Sequence, residues 1–402
     1  MAGDVRHIQQ QIPPVVSRPR KGTPPHRGAI TITGSSPTSE PQFVDRFCSV
    51  GAWIQRADHG RIISSLATTA HRLSPSFSFH QHGAAHHFIA SRDGIDIGRC
   101  SAMVNERAQR EDVARIGYIG MWECTDDPDA ARALLDAATA WLAGQACRTI
   151  VGPVDYSTWY GYRFSLGPWD HPALAFEPAT PKRYIVQWEG YGFSIRRTYV
   201  TTVRGNIPHG LAAGNEKLAR AIASGYTFCH IRMQDFDRLL RSMYDNARQA
   251  FDDAPDAAPI DWESFRDMYQ GLRRILDPRL VWCAIAPDGS IAGLALGIPD
   301  HAAALRAMRG RSTWRAGIAA QLRMWRARSV LFKTLFVHPD HQGIGLSVVL
   351  TQRIWQTAYE LGYNEVHHTL MHETNASRHY SDRGGTTPFR RYGLFELHLG
   401  AS

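Results

Sequence analysis

The sequence has no long apolar run and no closely paired cysteines, and both absences exclude large classes of protein. Nowhere among its 402 residues do 18 apolar residues follow one another, so no membrane-spanning helix is predicted. Residues 1–42 contain no apolar core of the signal-peptide type. The six cysteines are scattered without a CxxC pair, which argues against a zinc site or a disulfide framework. These absences predict a soluble protein of the reducing cytoplasm that holds no metal.

Common signatures of nucleotide and nucleic-acid binding are also missing. No glycine-rich turn ends in Gly-Lys-Ser/Thr, which excludes a nucleotide-hydrolysing P-loop, and one short glycine pair is a poor dinucleotide fingerprint. No zinc-finger, RNP or basic-helix pattern occurs, so nucleic acid is not the expected partner. The net charge of +8 instead favours an acidic partner such as a phosphorylated cofactor or an acidic carrier protein.

What the sequence does contain is a glycine-rich turn at residues 342–347, between an apolar strand pattern and a helical one. Apolar residues then recur at helical spacing, as at Leu346, Leu350 and Ile354, up to Gly362. Such a turn leaves main-chain N–H groups unpaired at a helix N-terminus, which suits an anion. A tight strand–helix turn without a ligand is the alternative interpretation.

The chain also contains an internal repeat. Asp93-Gly94 and Asp288-Gly289 each lie between apolar runs, which is a hairpin pattern. Strand, turn, helix and strand patterns follow each predicted hairpin. The repeat therefore predicts two tandem domains of one fold, at residues 43–205 and 206–402. Residues 1–42, rich in Pro, Ser, Thr and Gly, are predicted to form a flexible tail.

The turn resembles the acyl-CoA pyrophosphate loop of GNAT acyltransferases. The family pattern, Gln/Arg-x-x-Gly-x-Gly/Ala, reads here Gln342-Gly343-Ile344-Gly345-Leu346-Ser347, with Ser347 as a departure. Over roughly residues 75–400 the chain is also similar to a bacterial family of long, two-lobed GNAT proteins, through segments 120–128, 152–157, 277–281 and 384–396. The resemblance implies an α/β (α+β) chain of tandem GNAT-like domains, each with a mixed, mostly antiparallel sheet flanked by helices.

The same resemblance implies an N-acyltransferase that moves an acyl group from a pantetheine thioester to the amine of a small-molecule acceptor. Acyl-CoA, by default acetyl-CoA, or an acyl carrier protein would be the donor. The implied donor contacts are Phe336, Val337, Gln342, Gly343, Ile344, Gly345, Leu346, Ser347 and Asn375. A non-catalytic GNAT-like protein that binds acyl-CoA or a carrier protein is the alternative, because Asp382 stands where the family has its leaving-group tyrosine.

The acyl transfer needs a base and an acid near the thioester. Glu373, at the end of the predicted strand at residues 366–371, is the first choice of base, with a solvated loop carboxylate as the alternative. Tyr380 is the candidate acid, with a packed tyrosine as the alternative, and Asn375 is the third candidate catalytic residue. The first copy carries Asp126-Asp127 at its own turn, where carboxylates repel pyrophosphate and suit a helix cap. It is therefore predicted to have lost donor binding.

The segment 305–329 is rich in arginine. Between Arg306 and Arg328 it holds seven arginines. It is predicted to form either an amphipathic helical pair with a solvated basic face or a docking surface for the 3′-phosphate of CoA or for an acyl carrier protein. No membrane partner is expected.

Overall fold

The computed structural model describes residues 28–58, 60–109, 113–205, 215–252, 258–311, 313–324, 327–374, 378, 381 and 385–400. The strands are β1 (Ile30–Ser35), β2 (Gly83–Arg92), β3 (Ile95–Asn105), β4 (Ile116–Cys124), β5 (Thr149–Gly152), β6 (Phe164–Gly167), β7 (Ser194–Gly205), β8 (Thr227–His230), β9 (Val281–Ile285), β10 (Ile291–Pro299), β11 (Ser329–Val337), β12 (Glu365–His372) and β13 (Thr387–His398). The helices are α1 (Pro41–Ala57), α2 (Leu66–Leu73), α3 (Pro128–Gly144), α4 (Lys182–Tyr191), α5 (Asn215–Ala223), α6 (Phe236–Asp252), α7 (Trp262–Tyr269), α8 (Ala302–Met308), α9 (Trp314–Met324) and α10 (Leu346–Glu360).

Both predicted hairpins are present. Strands β2 and β3 pair antiparallel across Asp93-Gly94, whose positive φ angles of 51° and 76° form the tight turn. Strands β9 and β10 pair antiparallel in the same way, and the Ala286 N–H donates to the Ser290 carbonyl across their turn at 2.9 Å. The repeated Asp-Gly pattern thus corresponds to two hairpins of one kind.

Each hairpin leads into a parallel strand–helix–strand unit. In the first, β4 and β5 pair parallel around α3, whose Leu134, Leu135 and Ala138 are buried. In the second, β11 and β12 pair parallel around α10, whose Leu350, Ile354 and Ala358 are buried. The helical periodicity read from the sequence is therefore the buried face of each helix.

A 13-stranded sheet runs through both halves in the order β1-β2-β3-β4-β5-β13-β7-β12-β11-β10-β9-β8, with β6 beside β13. The strand that follows the helix in each half pairs with the last strand of the other half, so that β5 lies against β13 and β12 against β7. The boundary predicted after residue 205 coincides with the end of β7 and remains a prediction.

The flexible tail predicted at residues 1–42 is too long. The run Ile30-Thr31-Ile32-Thr33 pairs antiparallel with β2 as an edge strand, and α1 begins at Pro41. Four consecutive β-branched residues favour such a strand, although prolines and serines surround it in the sequence. Residues 1–27 lie outside the described residues. Among the helices that the structure describes, none is both long and apolar enough to cross a membrane.

Candidate functional site

The turn before α10 leaves main-chain donors free. Gly343 and Gly345 have φ angles of 83° and 92°, and no side chain caps the helix. The Gln342 N–H donates to the Pro339 carbonyl at 3.2 Å. Within the part of the chain that the structure describes, the N–H groups of residues 343–347 donate to no protein acceptor. This arrangement suits an anion, as the glycine pattern predicts.

Two side chains from outside the motif contact this turn. Lys217 of α5 lies against Gly345, where an added Cβ would come within 2.9 Å of its Cδ. Tyr226, just before β8, shares a hydrogen bond with His341 Nδ1 at 2.9 Å. Lys217 brings a positive charge to the turn, but no local sequence pattern links it to residues that lie more than a hundred positions away.

The strand β11 has an open edge next to the turn. It pairs with β12 only over residues 329–332, and β12 continues against β7 instead. Phe336 and Val337 pair with Leu294 and Gly293 of β10, which occupies only one side of β11. Among the described strands, none pairs with residues 333–337 on the other side, which leaves main-chain groups for a strand-like ligand such as the predicted pantetheine. The donor contacts assigned to Phe336 and Val337 remain predictions.

Lys333 lies where β11 and β12 separate. Leu296 pairs with Thr334 and Gly297 with Phe332, so Lys333 is the extra residue of a β-bulge. Burial lowers the pKa of Lys333 from 10.5 to about 8, against the attraction of Glu177 and with a further lowering from Arg163. A lysine with this pKa exchanges its proton near neutral pH.

Glu177 is a buried carboxylate whose charge acts on Lys333. It accepts hydrogen bonds from Thr201 Oγ1 of β7, at 2.5 Å, and from the Tyr392 hydroxyl of β13. Burial raises the pKa of Glu177, while both hydrogen bonds oppose this rise. Because β7 and β13 come from different halves, the carboxylate is held at the junction between them.

Arg163 is buried in the same region, just before β6. Its guanidinium lies over the rings of Tyr162 and Tyr199, at 3.6 and 3.9 Å, and its side chain is buried enough to lower its pKa to about 10. Its Nε and Nη1 atoms find no acceptor among the described residues. Buried donors are rarely left without a partner. We name Arg163, Glu177, Tyr199, Lys333 and Tyr392 the polar cluster.

Sequence reasoning missed this cluster because its members come from separate loops and strands. The one available sign was Lys333, a single charged residue in the otherwise uncharged strand SVLFKTLFV. The other four residues are brought to it by strand pairing between the two halves, which no local pattern reveals.

Glu373, the predicted base, follows β12 and is tied to neighbouring side chains. It accepts from Thr198 Oγ1 at 2.5 Å and from Arg391 Nε at 2.9 Å. Partial burial raises the pKa of Glu373, but these hydrogen bonds and the charges of Arg391 and Arg378 outweigh it, so the pKa lies below its usual value. A lowered pKa weakens a base, and the role remains a prediction. Asn375, Tyr380 and Asp382 lie outside the described residues.

The corresponding turn of the first half is closed by its own side chains. Asp127 accepts from the N–H groups of Asp129 and Ala130 and is paired with Arg92 at 3.0 Å. The gap beside β4 is filled as well, because the Met121 N–H donates to Asp155 Oδ1 at 2.6 Å. The first half thus has a capped helix where the second half has free amides. In the described part of the chain, no group of three His, Cys, Asp or Glu side chains is arranged to bind a metal.

Comparisons with known proteins give two kinds of similarity, although no family model matches the sequence. The protein named bacterial ceramide synthase of Caulobacter vibrioides is 24% identical over 376 residues, which cover 90% of this chain and 97% of that protein. Protein YghO of Escherichia coli is 21% identical over 331 residues, 78% of this chain and 82% of its own.

Among solved structures, a tandem GNAT protein from the clavulanic acid biosynthesis pathway superposes with a TM-score of 0.53 at 13% identity, over 92% of this chain and 100% of that one. The GCN5-related glucosamine N-acetyltransferase region of a fungal multi-domain β-N-acetylglucosaminidase gives 0.52 at 12% identity, over 92% of this chain and 38% of that one. The chain therefore has the tandem GNAT fold.

Proposed function

We propose that this chain is an N-acyltransferase that moves an acyl group from a pantetheine thioester to an amine. The observation that carries the proposal is the row of free main-chain N–H groups at residues 343–347, beside the open edge of β11. In a GNAT fold these two features suit the pyrophosphate and the pantetheine arm of acyl-CoA. The positive charge of Lys217 at the same turn adds support.

The acceptor that we propose is a long-chain amine. A ceramide is the amide of a fatty acid with a long-chain amino alcohol, so the similarity to a protein named bacterial ceramide synthase supports a fatty acyl donor and an amphiphilic amine. The similarity extends over both halves of the chain. This refines the small-molecule amine expected from the sequence.

The reaction requires two proton transfers. The amine nitrogen attacks the thioester carbonyl, a C–N bond forms and the C–S bond breaks, while the amine loses a proton and the thiolate gains one. Lys333, with a pKa of about 8, is close to a thiol in acidity and is suited to exchange either proton. We therefore add Lys333 to Glu373 and Tyr380 as a candidate for proton transfer.

A non-catalytic acyl-CoA-binding protein is the second candidate function. The pairing of Glu373 with Arg391 favours it, because a carboxylate held by a guanidinium is a weak base. Such a protein would bind donor at residues 343–347 and release no thiol.

One experiment separates these functions. The full chain is incubated with acetyl-, octanoyl- or palmitoyl-CoA, or with a palmitoylated acyl carrier protein, and with a long-chain amino alcohol, a short amine or a peptide. Released thiol and amide product are measured by a thiol reagent and by mass spectrometry. We expect equal amounts of thiol and long-chain amide with palmitoyl-CoA. Donor binding in calorimetry without any amide product would favour the second candidate, and absence of donor binding would contradict both.

A further inference from the structure

The arginine-rich segment carries charge of one sign only. Residues 301–339 contain seven arginines and Lys333 but no Asp or Glu. Ordinary helical surfaces mix both signs. The segment itself therefore supplies no carboxylate that could neutralise its positive charge.

The structure anchors this segment on the first half of the chain. The Leu66 N–H donates to the Gly310 carbonyl at 3.4 Å, in the turn between α8 and α9. Arg306 Nη1 donates to the Ala173 carbonyl at 2.8 Å. The pair of helices is thus a fixed part of the surface at the junction of the halves.

The turn brings three guanidinium groups together. Arg309 and Arg311 are exposed. Burial, together with the charges of Arg311 and Arg309, lowers the pKa of Arg56 on the neighbouring α1. None of these three arginines has a carboxylate partner among the residues that the structure describes. Three like charges held close together repel one another, which costs free energy. An anionic partner would supply the missing counter-charge.

Apolar side chains project from the same helical pair. Ile318 and Leu322 lie one turn apart on α9 and are 53% and 67% exposed. No large apolar side chain in the described part of the chain is more exposed than Leu322. We name Arg56, Arg309, Arg311, Ile318 and Leu322 the basic face.

We propose that the basic face docks on an anionic membrane surface, with its guanidinium groups on lipid phosphates and with Ile318 and Leu322 among the acyl chains. Basic residues around exposed apolar ones are typical of helices that lie in a membrane interface. The inference rests on the proposed function, because a long-chain amine and its amide reside in lipid. It replaces the expectation of no membrane partner.

Vesicle co-sedimentation tests the docking. The full chain is mixed with vesicles of phosphatidylcholine alone, or with vesicles of phosphatidylcholine that contain about 30 mol% phosphatidylglycerol. The anionic lipid gives the second kind of vesicle a negative surface potential. We expect binding only to the anionic vesicles and its loss in 0.5 M salt, roughly the concentration at which the Debye length falls below 5 Å. Neither donor nor acceptor is present, so the result does not depend on catalysis.

Two variants and two matched controls locate the surface. Arg309→Glu/Arg311→Glu reverses two charges of the basic face, and we expect at least about tenfold weaker binding. Ile318→Ser/Leu322→Ser keeps the charge and should weaken binding by about tenfold as well. Arg148→Glu/Arg274→Glu makes the same change of net charge elsewhere, and Val186→Ser removes an apolar side chain that is 58% exposed on α4. Both controls should bind like the wild type.

Three outcomes would overturn the docking proposal. They are no binding to anionic vesicles, equal binding to neutral vesicles, and equal losses in the controls and the basic-face variants. Binding of an acyl carrier protein that Arg309→Glu/Arg311→Glu abolishes, without vesicle binding, would assign the face to a carrier protein. Amide formation in detergent with no vesicle binding would contradict the docking alone, whereas vesicle binding without amide formation would contradict only the proposed function.

Discussion

Lys333 is half-buried, and the partial loss of hydration costs its ammonium group free energy. Lys333 lies at the bulge of β11, where β11 and β12 separate. In the proposed function, the thioester of a bound donor would lie at this point. Glu177 offsets part of the cost by its charge. A side chain kept under these conditions is a strong candidate for a chemical role.

Replacing Lys333 by Met should reduce the rate of amide formation by at least about tenfold, the lower range for a lost acid or base. The same variant tests the pKa. Between pH 8 and 10.5 the unfolded chain binds the Lys333 proton and the folded chain does not, so wild-type stability should rise with pH in that window. Relative to Lys333→Met, the free energy of unfolding should gain at most about 1.4 kcal/mol per pH unit.

Urea unfolding of both proteins at pH 7.5, 9 and 10.5 measures this difference, and Lys333→Arg, which cannot lose its proton, is the control. Below pH 8 both states are protonated and the difference should stay constant. Parallel pH profiles for wild type and Lys333→Met would contradict the lowered pKa.

Gly345 tests the anion site at the turn. Its φ of 92° suits glycine, and an added Cβ would lie 2.9 Å from the Lys217 side chain. Gly345→Ala should therefore distort the free N–H groups and weaken acyl-CoA binding by roughly tenfold or more, which calorimetry measures. Gly362→Ala, also at a positive φ but with an open Cβ position at the other end of α10, is the control. Equal affinities in the two variants would contradict the assignment.

At the scale of elements, the two strand–helix–strand units have the same connectivity but differ in whether the gap beside their first strand is filled. Beside β11 the strands separate and leave an edge, whereas beside β4 the Val154 N–H donates to the Ile119 carbonyl at 2.9 Å and fills the gap. The carboxylate of Asp155 bonds the main chain of β4. The first unit therefore contributes packing where the second offers a cleft.

The filled gap makes Gly120 a position of close approach. A Cβ there would lie 2.1 Å from the Val154 carbonyl oxygen, which is main chain and cannot rotate away. Gly120→Ala should destabilise the protein by about 1–3 kcal/mol, as overpacked cores do. Thermal unfolding measures the effect. Gly190→Ala on α4, where an added Cβ meets nothing within 4 Å, should be neutral or stabilising, and equal melting temperatures for both variants would contradict the packing.

Patterns confined to one element were predictable from the sequence. The Asp-Gly hairpins, the buried face of α10 and the glycine turn depend on neighbours within a few residues, and all are present. The polar cluster and the contact of Lys217 with Gly345 depend on pairing between distant segments, which sequence periodicity does not encode. Strand β1 was missed because its six residues lie among turn-forming ones.

At the scale of the whole molecule, the two halves share one sheet instead of meeting at a surface. The strand β13, at the end of the chain, lies between β5 and β7 of the first half. Its Tyr392 and Leu394 belong to a core cluster formed mainly by the first half. The stability of the fold and the geometry of the polar cluster at the junction therefore depend on the entire chain.

Splitting the chain after residue 205 tests this sharing. The fragment 1–205 loses β13, one of the two partners of β5, and the fragment 206–402 loses β7, one of the two partners of β12. Each fragment alone should be unfolded or aggregated, and their co-expression should yield a complex that co-purifies. Circular dichroism and size-exclusion chromatography give the result. A folded, monomeric fragment 1–205 would contradict the prediction, and a split inside the exposed turn at Gly289 is a control for cutting the chain as such.

The crossed pairing of β5 with β13 and of β12 with β7 also bears on the origin of the chain. A single-copy precursor with this connectivity would have been complete only as a strand-exchanged homodimer, each subunit lending its final strand to the other. Gene duplication with fusion would then have turned a concentration-dependent assembly into an intramolecular one. It would also have allowed the two strand–helix–strand units to diverge, one with a side-chain cap on its helix and the other without.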